Sequence, residues 1–309
     1  MTGRGFLGGS LLLATLLLGA CVSPGLEHAS PVDEAAAPIG DLQAQPFRSL
    51  PAEEVVAIRR AKGDAVARCM ASRGFVQFLE YEIPDEAVTA VDDIGIGTYS
   101  FGPVTESEAQ RQGYSPLMGL PPMFPQIVAQ DAAFEQALKE CNRQAWDSLD
   151  PEAEASVRSL ERLSESLHNA FVDSLRASDQ FRELHQARVS CLAEAGFPVS
   201  DASRVWLRPG PEDFGVPFGE VVEVPREDNP SPGPGRVVIL YPPELQYVPT
   251  AAEVEIALAD VACRGRLGFV DQVTAIAAGI QRELLGEVEA NVTELRIVLE
   301  RIVAGLGSS

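Results

Sequence analysis

"CLAEAGF", residues 191–197, has the grammar of a helix end: small and apolar residues, a glycine suited to a left-handed cap, then an aromatic able to fold back. A twin, "CMASRGF", stands at 69–75, 122 positions earlier. At that same offset Cys141 meets Cys263, Ala137 meets Ala259 and Pro121 meets Pro243. Cys69 and Cys141 are thus 72 positions apart, as are Cys191 and Cys263. A fixed offset shared by several residue types marks an internal repeat. We read two tandem copies of one unit, residues 49–176 and 177–309.

With the export signal described below, these four cysteines point to disulfides, and four allow three connectivities. If the copies fold alike, each closes its own bridge, Cys69–Cys141 and Cys191–Cys263. The other two pairings require the copies to interlock. A metal site is the competing reading, and it lacks support: there is no CxxC, and the histidines are only His28, His168 and His185. No metal or cofactor is expected.

Helical periodicity dominates both copies. Val55, Ile58, Lys62, Val66 and Cys69 recur at helical spacing and stop before Gly74. Phe181, Leu184, Arg188, Cys191 and Leu192 form the corresponding stripe before Gly196. "TAAEVEIALADVAC" (250–263) opens with the Thr250–Glu253 spacing of a capping box, and "QDAAFEQALKEC" (130–141) is its counterpart. "DPEAEASVRSLERLSESLHNAFVDSL" (150–175) has Asp150 as N-cap and an apolar stripe from Val157 to Leu175. Residues 270–304 carry a comparable stripe, which as one helix would run about 50 Å. Between the paired cysteines lie short β-like runs at 75–83, 203–208, 220–224 and 236–241, and a loop, "PREDNPSPGPG", at 225–235. The expected fold is mainly α with small β elements (α+β), its long amphipathic helices packed as a bundle. The alternative is a C-terminal helix projecting as a coiled-coil arm, which Gly279 and Gly286 disfavour.

The formal charge is −21, from 24 basic and 45 acidic residues. Such acidity excludes nucleic acid, teichoic-type polymers and anionic headgroups as partners. It leaves cationic peptides, basic protein faces and divalent metals, or simply a solubility role.

Residues 1–20 have the parts of a secretion signal: Arg4, the apolar "FLGGSLLLATLLL" (6–18), then Gly19 and Ala20 before Cys21. Leu18-Gly19-Ala20-Cys21 resembles a bacterial lipobox. The resemblance implies cleavage after Ala20, a diacylglycerol thioether on Cys21 and acylation of the new amino terminus, enough chains for stable anchoring. Residues 21–48, rich in Pro, Ala and acids, read as a disordered tether. The implied location is the outer face of the bacterial cytoplasmic membrane.

Catalytic signatures are missing. There is no GxSxG, HExxH or GxxxxGK[ST], and neither Lys62 nor Lys139 completes SxxK. "DDIGIGTYSFG" (92–102) lacks the ligand order of a calcium loop. Glu220, Glu223, Glu227 and Asp228 could supply paired carboxylates, but the sequence does not set their separation. The lipobox, the C-[ML]-A-x-x-G-F segments and "ALADVACRGRLGFVDQV" (257–273) resemble a group of actinobacterial envelope lipoproteins, most closely in the C-terminal copy. "ALKECNRQAW" (137–146) departs from that wording. The resemblance transfers no catalytic residue. We expect a non-enzymatic binding or scaffolding lipoprotein, its partner an unidentified envelope protein for which the acidity of this chain fits a basic face. The alternative is an accessory subunit of an ABC-type exporter or adaptor assembly, contacted through the C-terminal helix; an exported hydrolase is a third reading.

Overall fold

Helices end where the sequence marks them. In the computed structural model, which describes residues 45–79, 94–118, 123, 125–129, 132–202, 206–224 and 237–306, α1 (Ala52–Ser72) and α5 (Asp179–Glu194) both close on left-handed glycines. Gly74 has φ +95° and Gly196 φ +94°. Phe75 N–H reaches back to the Met70 carbonyl and Phe197 N–H to the Leu192 carbonyl, satisfying groups the last turn leaves open. Both aromatics then fold inward: Phe75 meets Phe134 edge-on at 5.3 Å, and Phe197 packs beside Ile256 and Ala257.

Eight α-helices stand among the described residues. Besides α1 and α5 they are α2 (Glu106–Gln112), α3 (Ala132–Ser148), α4 (Ala153–Ala177), α6 (Ala251–Leu267), α7 (Phe269–Glu287) and α8 (Glu289–Leu306). Cys69 on α1 is bonded to Cys141 on α3, and Cys191 on α5 to Cys263 on α6, the intra-half pairing expected from the spacing.

The halves share one core. Val55 and Ile58 of α1, Leu160 and Phe171 of α4, Val273 of α7, and Leu299 and Ile302 of α8 belong to a single buried cluster. The described residues of both halves accordingly form one compact unit. One of the small sheets also crosses between the halves. Strand β1 (Gln126–Ala129) pairs antiparallel with β3 (Val237–Leu240), while β2 (Glu220–Val224) pairs antiparallel with β4 (Glu244–Val248).

Four expectations need correction. Gln45–Arg48, read as tether, are packed: Pro46–Ser49 form a 3-10 turn, Phe47 is buried edge-on to Phe171 at 6.0 Å, and Gln45 is buried. Their anchor is Gln281, whose side chain accepts from Phe47 N–H at 3.1 Å and donates to Gln45 Oε1 at 2.9 Å. The helix expected over 270–304 is two helices, broken at Val288 (φ −117°, ψ 12°). The break turns α8 back onto α1 and α4, so it lies on the body and does not project as an arm. α4 begins at Ala153, two residues after Pro151, with the Asp150 carboxylate accepting from Glu152 N–H at 2.9 Å. Of the β-like runs, 220–224 and 237–240 are strands, Val76–Leu79 is a 3-10 turn, and 206–208 lies outside any strand. Residues 80–83 and 203–205, like the loop at 225–235, fall outside the described residues, as do residues 1–44.

Each bridge closes a loop of equal length, so the chain-entropy model assigns each about 4 kcal/mol. Replacing either Cys69 and Cys141 or Cys191 and Cys263 with alanines is expected to lower unfolding free energy by that amount in a denaturant titration. A loss near zero for either pair would show that bridge to be dispensable.

Candidate functional site

The most heavily constrained part of the molecule is a set of charges taken wholly out of water. Arg188 on α5 and Asp260 on α6 are both 0% exposed, and Arg264, one turn further along α6, is 3% exposed. Arg188 Nε and Nη2 donate to the two Asp260 carboxylate oxygens, each at 2.7 Å, the bidentate geometry in which guanidinium and carboxylate bind best. Arg264 Nε lies 3.1 Å from the same carboxylate. Two cations against one anion leave a surplus positive charge. It is met by the Leu207 carbonyl, which accepts from Arg188 Nη1 at 2.8 Å, by the Pro103 carbonyl, which accepts from Arg264 Nη2, and by the Phe269 ring, 4.8 Å from the Arg188 guanidinium. Burial alone would raise the Asp260 carboxyl, but the Arg188 and Arg264 guanidiniums outweigh it and hold the group below its ordinary value. Burial, with the Asp260 charge beside it, drives the Tyr114 hydroxyl well above its usual range.

A second buried carboxylate stands two turns earlier on α6. Glu253 completes the capping box with Thr250: the Thr250 hydroxyl accepts from Glu253 N–H at 3.1 Å, and the Glu253 carboxylate faces Thr250 N–H. The same carboxylate accepts from Tyr114 N–H at 2.7 Å, from Gly219 N–H at 3.0 Å and from the Tyr247 hydroxyl at 2.7 Å. Gly113 is required here, since a Cβ would fall 2.6 Å from Glu253 Oε1. Arg208 clamps the other side of this turn by donating to the carbonyls of Tyr114 and Met118, each at 2.9 Å. The result is a buried block of charges that ties α6 to the turn at Gly113 and to the start of β2.

Two apolar features lie on the surface, one, the strand pair, on that block and the other on α8, which packs on α1 and α4. β2 and β4 expose Val221, Val222, Val224 and Val248, with Phe218 beside them. On α8, Ile297 is 62% exposed and borders a hollow of about 570 Å³ with Ala290, Thr293 and Val298.

The residues singled out from sequence fall as follows. Cys21, the signal over 1–20, His28, Glu227 and Asp228 lie outside the described residues. Glu220 and Glu223 are three apart on β2 and therefore project to opposite faces, so they do not form a catalytic pair. Ile94, Ile96 and Phe101 of the 92–102 segment pack in or against the core. His185 stacks on Phe181 and contacts the Ala202 carbonyl through Nε2 at 3.1 Å, with burial lowering its pKa. Lys62 is lowered by burial, which the Glu154 charge opposes. The Arg188–Asp260 pair was not anticipated, although its signal is present: a charged residue on each apolar stripe, three positions before each cysteine, 72 positions apart. No family model, curated protein or solved structure matches this chain.

Removing one partner of a buried pair strands the other, so Asp260→Asn is expected to cost roughly 3–5 kcal/mol in chemical denaturation. The positions equivalent to Arg188, Asp260 and Arg264 at the 122-residue offset are Val66, Leu138 and Asn142. The triple change R188V/D260L/R264N should therefore cost less than Asp260→Asn alone. Because the folded pKa of Asp260 lies below its ordinary value of 3.8, its stabilisation is complete above that pH and is lost as pH falls through the lower folded value. Acid titration of the triple variant should show a shallower stability loss below pH 3.8; an unchanged slope would remove Asp260 as its source.

Proposed function

We propose that this chain is a membrane-anchored extracytoplasmic lipoprotein that acts as a non-enzymatic binding or scaffolding protein of the cell envelope. The observation that carries the reading is the placing of exposed apolar side chains on rigid elements, Val222, Val224 and Val248 on a strand pair and Ile297 on a helix, over a body closed by two disulfides. Single exposed apolar residues are ordinary, but grouped ones on ordered elements mark contact surfaces. The lipobox supplies the anchor, and the likeness to actinobacterial envelope lipoproteins agrees with it. No described helix is long and apolar enough to cross a membrane.

Gln45 is held in the body by Gln281. The 24 residues from Cys21 to Gln45 reach at most roughly 80 Å when fully extended, so the body works within that height of the bilayer. Equal disulfide spacing and the matching glycine caps support reading the halves as two copies of one unit, one of which has specialised its interior.

A second reading, an accessory subunit of an exporter or adaptor assembly contacted through the C-terminal helix, is favoured by Ile297. Deleting that helix would not test it cleanly, because Val292, Leu299 and Ile302 of α8 are core residues. A photo-crosslinking residue at position 297 and the variant Ile297→Glu do. Capture of a permease or adaptor, lost on a charge at that position, is the expected result under this reading; crosslinks that survive I297E elsewhere on the body overturn it.

The primary reading is tested by mass spectrometry of the chain purified from its own membranes. A diacylglyceryl group on Cys21 is expected, as are peptides linked 69–141 and 191–263. An unlipidated amino terminus would overturn the anchor and the location together.

A further inference from the structure

Strand β2 is exposed along its whole length, on both faces. Directly opposed residues of an antiparallel pair share a face, so Val221 lies with Tyr247 on one side, and Val222 and Val224 lie with Gln246 and Glu244 on the other. Val221, Val222 and Val224 are each about 40% exposed (41, 38 and 38%). Among the described residues β2 is hydrogen-bonded only to β4, which leaves its second edge open. An open, apolar edge is a template for another strand, and native proteins ordinarily blunt such edges with bulges, proline or lysine. Glu220 and Glu223 are the charges on this one.

We propose that the free edge of β2 takes up an extended segment of a partner protein, with β-branched residues opposite the valines and Arg or Lys opposite Glu220 and Glu223. The inference deepens the binding-protein reading and rests on it. Geometry excludes a flat lipid surface, which could cover Val221 or the pair Val222 and Val224 but not both sides of one strand. An added strand continues the sheet in its plane and gives cross-strand neighbours to both faces at once. Charge disfavours a second copy of this chain, which would bring a net charge of −21 against an identical charge. A basic segment gains from that field and from the glutamates directly opposite it.

The edge is also held ready. Gly219, immediately before β2, donates its N–H to the Tyr247 hydroxyl at 2.6 Å and to the Glu253 carboxylate at 3.0 Å. It abuts the partner strand so closely that a Cβ would fall 2.1 Å from the Val248 carbonyl oxygen.

The experiment uses the full-length lipoprotein in nanodiscs of zwitterionic lipid, titrated with the blocked peptide Thr-Val-Arg-Val-Val-Arg-Thr. In antiparallel register this sets Arg opposite Glu220 and Glu223. Amide hydrogen exchange over 220–224 and calorimetric titration are read together. Saturable binding with new protection confined to the sheet is expected, weakening as salt rises. The variant E220K/E223K, changed only at exposed positions, should keep both disulfides and its thermal midpoint. It should bind the peptide about tenfold more weakly and favour the counterpart with Glu in place of Arg. Four results overturn the proposal: no protection with peptide, protection already present in the free chain at those amides of 220–224 that point away from β4, protection that requires self-association, or protection produced by phosphatidylglycerol vesicles and not by peptide. The titration reports on the edge alone and the lipid analysis on the anchor, so failure of one is separable from failure of the other.

Discussion

The carboxylate of Asp260 is the constraint around which the second half of the molecule is arranged. Once it is buried, it demands a cation, and Arg188 answers from the neighbouring helix with two of its three nitrogens. Arg264 adds a second charge, and the surplus must then be satisfied by carbonyl oxygens, which only loop backbone can bring. The guanidiniums therefore add a polar anchor to two connections that are already buried at Pro103 and Leu207. Tyr114 is drawn into the same site from the first half, its backbone on Glu253 and its ring beside the ion network. Little of this adds net stability, since desolvation cancels most of what such pairs gain. Its effect is to make alternative packings expensive.

The first half shows that the same helix pairing works without ions. Val66 and Leu138 stand at the positions of Arg188 and Asp260, packed beside Cys141 in an apolar cluster. One turn on, where the second half has Arg264, Asn142 accepts from Lys62, half-buried and lying over the Trp146 ring. Both solutions close their helices with a disulfide, but only the ionic one also holds loop carbonyls. The surface that those loops support, β2 with β4, belongs to the second half, whereas β1 of the first half is spent pairing with β3 across the molecule. An apolar pair holds two helices together. A charged pair with unspent donors also organises what surrounds them.

What could be read from the sequence was what is decided locally or by repetition. Caps at Thr250, Gly74 and Gly196 depend on a few adjacent residues, and the disulfide pairing followed from an offset that several residue types shared. The misreadings involve partners distant in the chain. Gln45 and Phe47 look like tether because their contacts, Gln281 and Phe171, lie far along the sequence. β1 pairs with a strand more than a hundred residues later, and four residues carry too little pattern to announce it. The break at Val288 has only Gly286 as a local sign, since the apolar stripe continues across it; it is set by the need to return α8 to α1 and α4. Arg188 was visible on its apolar stripe, but its meaning depended on Asp260, found only when the 72-residue offset is applied to charges as well as to cysteines.

The buried and exposed parts of the second half are connected through one residue. Glu253 lies two turns from Asp260 on the same helix, and its oxygens hold the start of β2 at Gly219 and, through Tyr247, the strand beside it. An isolated two-stranded ribbon is marginal in water because its strands lose more freedom on ordering than one ladder returns. Here that cost is met on folding, by a carboxylate whose own position is set by the cap of α6 and by the turn at Gly113. A strand that remains ordered while exposed on both faces is therefore a product of the interior. Ordering an edge in advance removes part of the entropy that a partner would otherwise have to supply. Under the proposed strand addition, the carboxylate buried beneath the sheet would act on recognition without touching what is recognised.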